Sequence, residues 1–261
     1  MNLMSICLNI LQKFLLKKFK MDNLKKEIRN LSEITVVDNA YENVEEKLQL
    51  LGEMLITNYV IKIGVLKIEP LWVEAYYSNV AKGFADPFIH GKYGKEEQSE
   101  FGILYFHHKT DDNRSGVDIC LSLCNENRTE SKYYLSYLLK YTLVNGEFTT
   151  QSQLSAKIRK AYDSLPNKND ILEISCNKCE VDTVGYTTRI GLNVKDSDPL
   201  RDTKKLYASL KLAIAKNFDK TYSAKKKLPH IESLARSFLS TYDSDKEKWC
   251  KEHLGYSLKN I

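Results

Sequence analysis

Five prolines and eleven glycines in 261 residues are too few for a collagen-like repeat or a linker-dominated chain, and no internal repeat or low-complexity segment is present. Cysteine is sparse as well. Six residues, at positions 7, 120, 124, 176, 179 and 250, do not make a disulfide framework for a chain of this length, and no secretory leader accompanies them. A reduced, cytoplasmic protein with no membrane span is the expectation. The first 20 residues, MNLMSICLNILQKFLLKKFK, hold the nearest thing to a targeting segment. Their lysines follow the apolar run instead of preceding it, no small-residue cleavage site appears, and the run is too short and too charged to cross a bilayer. They read equally as a basic amphipathic helix or as sequence upstream of a start at Met21. A P-loop, a GxGxxG turn after a strand and a GxSxG elbow are all missing, which removes the simplest support for nucleoside triphosphate hydrolysis, nicotinamide redox chemistry and serine hydrolase chemistry.

What is present is a globular composition, 43% hydrophobic and 28% charged, with an uneven distribution of charge behind a net of +5. Residues 1–35 hold seven bases and three acids, and residues 201–261 hold fourteen and seven; the stretch 36–200 holds 18 bases and 24 acids, a net of −6. Attraction to a polyanion needs clustered Lys and Arg, so the two ends are expected to supply it.

Apolar residues at Val44, Leu48, Leu51, Met54 and Leu55 follow helical spacing over 42–55, with Gly52 as an interruption. The run YVIKIGVLKIEPLWVEAYY (59–77) predicts two strands punctuated at Gly64 and Pro70. Residues 78–100 lose periodicity and read as a long loop, of the kind that is often functional. FGILYFHH (101–108) and VDICLSL (117–123) predict a hairpin with a broad polar tip, and KYYLSYLLKYTLV (132–144) a strand, because NG follows it. Residues 151–165 read as helix, ILEI (171–174) and GYTTRIGL (185–192) as short strands. From Thr203 the pattern is helical, with Leu206, Leu210, Ala213 and Ile214 on one face. Strands mixed with helices without βαβ alternation give a mixed α/β, or α+β, class. The expected organisation is a basic N-terminal helical segment (1–35), an α/β core (36–210) and a basic C-terminal helical extension (211–261).

Two constellations carry chemistry. In WVEAYYS, Glu74 lies between Trp72/Val73 and two tyrosines at the end of a strand that feeds the long loop, where a partly shielded carboxylate can take a proton from a bound water. His90, His107 and His108 fall within 19 residues of one another beside the same loop and hairpin. Together with CLSLC (120–124) and CNKC (176–179) they allow a zinc reading, but CxxxC is not a usual knuckle and buried, unligated cysteines are the simpler account; no metal and no cofactor is expected.

Four pieces, taken in order, resemble one family. LQLLGEML (48–55) is similar to the LLGxxL helix of the alkyladenine (3-methylpurine) DNA glycosylases, WVEAYY (72–77) to their ETEAY strand, GILYFH (102–107) to their GxLYVY strand and TTRIGL (187–192) to their PRIGI segment, over about residues 45–210. The resemblance implies a single domain with a curved, mainly antiparallel sheet, packed helices and a protruding hairpin that meets double-stranded DNA. It further implies hydrolysis of the N-glycosidic bond of a modified purine flipped from the duplex into an aromatic pocket. Under it Glu74 is the general base, Tyr76 one stacking wall, His90 a pocket histidine, His107 the opposite wall and Asp118 the residue in the strand where the family screens guanine with Asn. Tyr105, Arg114 and Arg189 are possible DNA contacts, although the RIG segment (Arg189, Gly191) also reads as structural. The departures are a hairpin tip, HKTDDNRSG (108–116), in which Arg114 is the only long side chain able to act as a wedge, and Trp72 where the family has its first Glu. The alternatives are a fold relative that binds a modified nucleoside or another small ligand without repair activity, and a non-enzymatic nucleic-acid-binding protein.

Overall fold

The computed structural model describes residues 21–38, 40–89, 101–107, 116–123, 133–163, 173–176, 184–192 and 194–216. Two strands form its spine. β2 (Leu66–Asn79) and β6 (Tyr134–Val144) pair antiparallel from Ile68↔Val144 to Ser78↔Tyr134, and the rest of a mixed α+β fold is arranged around them. On the far side of β6 lie β5 (Gly116–Cys120), which carries β4 (Leu104–His107), and β7 (Glu147–Thr150). On the far side of β2 lie β1 (Tyr59–Ile63), followed by β8 (Glu173–Cys176), and β10 (Ala213–Lys216), followed by β9 (Val184–Thr187); the two-residue β3 (Phe84–Ala85) closes the end of β2. All these pairings are antiparallel, in one open ten-stranded sheet.

Helix α1 (residues 21–33) and helix α2 (Glu42–Asn58) bury one face each, Leu24, Ile28 and Leu31 from the first and Val44, Leu48, Leu51, Leu55 and Ile56 from the second. This is the apolar stripe expected of helices that pack on a sheet. The Tyr137 hydroxyl donates to the carbonyl of Leu48 at 2.8 Å and ties α2 to β6. α3 (Gln151–Asp163) begins directly after β7. The side-chain oxygen of Gln153 accepts from both the backbone N–H and the hydroxyl of Thr150, at 3.2 and 3.1 Å, so the first turn closes on its own sequence. α4 is Arg201–Ser209.

Several expectations are corrected. Gly52 does not interrupt α2. A Cβ there would stand 2.7 Å from Cδ1 of Ile214, so the glycine lets the helix approach the sheet closely. Pro70 does not divide a strand. β2 runs through it with an irregular register on either side of Trp72, and the opposite edge pairs with β1 at 66–68 and with β10 at 72–74, leaving Pro70 where no partner needs its missing N–H. The helical face drawn through Leu206, Leu210, Ala213 and Ile214 also ends early. α4 stops at Ser209, Leu210 turns extended, and Ala213–Lys216 enters the sheet between β2 and β9. The boundaries at 35 and 210 therefore cut through one body, since α1 contributes fully buried leucines and β10 sits inside the sheet. Between 78 and 89 the expected loop holds a single helical turn, Val80–Lys82, and β3. The tip of the β4–β5 hairpin and residues 217–261 lie outside the described residues.

Candidate functional site

In an antiparallel pair, residues directly opposite one another share a face, and so do residues two apart on one strand. The registers Tyr105↔Asp118↔Leu138↔Glu74↔Ala213 therefore form one row across five strands on a single face. A second row, Cys120↔Ser136↔Tyr76, runs beside it on the same face. Val73, Ala75, Tyr77, Tyr137 and Leu139 point the other way, toward α2 and the core. Thus β2 alternates between a core face and a face that carries buried polar groups: Glu74 is 0% exposed and Asp118 2%.

Glu74 is held by three groups. Its Oε1 accepts from the backbone N–H of Ile190 at 3.0 Å and lies 3.4 Å from the Lys140 ammonium. Its Oε2 accepts only from the Tyr76 hydroxyl among the described residues, at 3.4 Å, beyond the usual 2.5–3.0 Å of such a bond. Oε2 is therefore the oxygen with acceptor capacity to spare. Burial, and then the charge of Glu74, push the Tyr76 phenol well above 10, so it stays protonated and donates. Lys140 reaches Glu74 because β6 has an extra residue where Trp72 pairs with Tyr141 and Val73 with Leu139. Burial, followed by Glu74, pushes Tyr141 on the same strand up to about 12.

The guanidinium of Arg189 sits 4.8 Å from the centroid of the Tyr76 ring and 5.5 Å from that of Phe88. It forms a fully buried ion pair with Asp86, Nη2 donating to Oδ1 at 3.3 Å and Nη1 to Oδ2, and also donates to the carbonyls of Ala75 and Tyr207 at 3.4 and 3.2 Å. Residues 189–190 are thereby fastened to β2 beside Glu74, and this places the Ile190 N–H. On the far side of Leu138, Asp118 accepts from His107 Nε2 at 2.9 Å and from the Ser136 hydroxyl at 2.9 Å. The His107 ring meets Tyr105 edge-on with centroids 5.1 Å apart.

The structure thus places Glu74, Tyr76, His107 and Asp118 on one face. His90 and Arg114 lie outside the described residues. Tyr105 and Arg189, the other two residues expected at a DNA contact, lie buried beside this face. Tyr105 is 5% exposed within the row, and the Arg189 side chain is enclosed in its ion pair with Asp86. Sequence reasoning missed Lys140, Ser136, Asp86 and the Ile190 N–H. Lys140 had a signal, a lone charge in an otherwise uncharged strand sequence; Asp86 had none that separated it from other loop acids. Among the described residues no group of three or more His, Cys, Asp and Glu could hold a metal ion, and Cys120 is buried in β5. No helix among them is long and apolar enough to cross a membrane. Neither family models nor curated proteins match this chain.

Proposed function

We propose that this face binds a modified purine and hydrolyses its N-glycosidic bond, in the manner of the DNA glycosylases that the sequence resembles, with Glu74 as general base. The observation that carries the reading is the row itself. A buried carboxylate with one spare acceptor oxygen stands beside a tyrosine ring, with Leu138 next to it and a second polar cluster one strand further on. In the reaction a water held on Oε2 gives its proton to Glu74 as its oxygen bonds to the anomeric carbon. The bond from that carbon to the purine nitrogen breaks, and its electron pair stays with the base. A base that carries a formal positive charge leaves neutral and needs no acid. Lys140 and Ile190 N–H fix Oε1, so the other oxygen faces the reaction, and positioning of this kind contributes to rate without changing the chemistry. Tyr76, with Arg189 against its ring, is the stacking wall, and His107 with Asp118 borders the far side.

A second reading has a specific observation in its favour: Glu74 is wholly buried and ion-paired with Lys140, as a structural carboxylate would be. In that case the face binds a nucleoside-like ligand without cleaving it. Incubation with duplexes containing 1,N6-ethenoadenine, hypoxanthine, 3-methyladenine or 7-methylguanine, followed by chromatography of the released base, separates the two. Hydrolysis predicts free base and an abasic strand from at least one duplex; intact duplexes throughout contradict it.

A further inference from the structure

Many cations of this chain are paired with a carboxylate: Lys47 with Glu27, Lys82 with Glu33, Lys157 with Glu147 and Lys204 with Asp198. Those on the sides of α1 and α3 that turn toward β4 are different. Lys25 and Arg29 on α1 and Arg159 on α3 have no carboxylate within ion-pair distance among the described residues. The acids nearest in sequence are already engaged, Glu27 and Glu33 on α1 by Lys47 and Lys82, and Glu147 of β7 by Lys157. Lys25 and Arg29 stand four residues apart, an arrangement in which like charges repel and weaken the helix that carries them. An external anion is the partner that would relieve it.

Two aromatic rings hold these cations along one edge. The Lys25 ammonium lies 5.1 Å from the centroid of Phe101, just before β4, and the Arg159 guanidinium lies 5.2 Å from that of Phe106 within it. Stacking occupies a face of the guanidinium and leaves its in-plane N–H donors for an oxyanion. β4 ends the sheet among the described residues, and Phe106 alternates with Tyr105 and His107, so Arg159 stacks on the side of β4 opposite the polar face. Arg29 and Arg159 are exposed, and Lys25 is half-buried. Five residues at about 3.3 Å each separate Phe101 from Phe106, so the two stacked cations stand up to roughly 16 Å apart. We propose that this edge, with Lys25 and Arg29 on one flank and Arg159 on the other, is a sequence-independent contact for the phosphate backbone of double-stranded DNA. Its partner must bring regularly spaced anions to two helices at once, and over roughly 16 Å one strand of a duplex presents about four or five phosphates. The choice of DNA as the polyanion rests on the glycosylase reading; the contact itself requires neither base extrusion nor cleavage.

The test uses the full chain and an undamaged, fluorescein-labelled duplex of mixed sequence, with binding read by anisotropy from about 50 to 200 mM salt. The variant Lys25→Gln/Arg29→Gln/Arg159→Gln is compared with Arg201→Gln/Lys205→Gln/Lys211→Gln, which removes the same charge from α4 and the segment after it. Each phosphate contact adds about 0.9 to the slope of log affinity against log salt, so the first variant should flatten the slope by about 2–3 and the second should leave it as in the wild type. Equal slopes for the two variants, or a wild type that binds no duplex at the lowest salt, overturn the proposal. A second measurement needs no variant: lysine acetylation of the wild type, read by mass spectrometry. Bound duplex should protect Lys25 several-fold and leave Lys211 reactive; protection of Lys211 as strong as that of Lys25 overturns the assignment. Polyglutamate bound more tightly than duplex gives the edge to an acidic protein and overturns it as well. The outcome is separable from catalysis. Duplex held by this edge with no lesion released leaves the contact standing while the glycosylase reading fails, and base release with an unchanged salt slope does the reverse.

Discussion

Replacing Arg189 by methionine removes the group on which the order of this face depends. The side chain is fully enclosed, and three acceptors rely on it: the Asp86 carboxylate and the carbonyls of Ala75 and Tyr207. Methionine fills similar volume but donates nothing. Asp86 is then a buried carboxylate whose remaining described donor is the Phe88 N–H at 3.0 Å. Breaking a buried ion pair by removing one partner costs about 3–5 kcal/mol, chiefly because the other charge is left uncompensated. For a domain of this size each kcal/mol moves the melting temperature by about 2–4 °C, so a drop of about 6–20 °C is expected. The assay is urea unfolding followed by Trp fluorescence, repeated for Asp86→Leu and for the double variant. The double variant should be more stable than the sum of the single losses implies, by about 1 kcal/mol or more, because it leaves no orphaned charge. A loss below about 1 kcal/mol for Arg189→Met, or strict additivity in the double variant, would refute the reasoning. The local effect is separable. Residue 189 holds residue 190, and the Ile190 N–H holds Oε1 of Glu74, so the same variant should loosen the carboxylate while the core strands keep their amide protection.

Three further outcomes follow from the packing and the electrostatics. Gly116→Ala places a Cβ 2.7 Å from Cδ1 of Leu138 and 2.6 Å from the Gln151 amide, so chemical denaturation should show a loss of about 1–3 kcal/mol; an unchanged midpoint would mean that β5 and α3 separate freely. Tyr137→Phe removes the bond to the Leu48 carbonyl and should cost about 0.5–1.5 kcal/mol without altering the fold, as read by the same method. Burial raises Tyr141 to about 12 and Tyr76 well above 10, whereas both ionise near 10 once unfolded, so the folded state binds these protons more tightly. Their stabilising contribution is complete below about pH 10 and is lost as pH rises through the folded values. Absorbance at 295 nm should therefore show the ionisation of these tyrosines coinciding with unfolding above pH 10; full ionisation of all tyrosines with native circular dichroism would contradict the burial.

Much of the fold was legible because local chemistry agreed with it. Asn145 and Gly146 both have positive φ, 51° and 83°, as a two-residue hairpin demands, so the NG dipeptide correctly marked YYLSYLLKYTLV as a strand before a turn. The errors fall where long-range packing overrides a local rule. Gly52 looked like a helix interruption because its use lies across the sheet at Ile214, and AIAK looked helical because three or four apolar-spaced residues cannot reveal that β2 and β9 wait on either side. Of the site, WVEAYY announced Glu74 and Tyr76 as neighbours on one strand face. That Asp118 lies two strands from Glu74, with Leu138 between them, depends on the registers of β5, β6 and β2, and no pattern within any single strand encodes a register. Arg189 shows the same limit: the sequence supplied the residue, but its burial against Asp86 is a property of the loop after β3 and the segment before α4 brought together.

The central claim is that Glu74 activates a water for base release, and single-turnover kinetics test it most directly. Wild-type protein and Glu74→Gln, each in excess over a duplex that carries the released lesion, should bind that duplex equally, because glutamine preserves shape and the acceptor for Ile190 N–H. The rate of base release should nevertheless fall by about 10²–10⁴ in the variant, the usual contribution of a general base. Equal rates for the two proteins at equal binding would contradict the assignment of Glu74 and, with it, the mechanism built on this face.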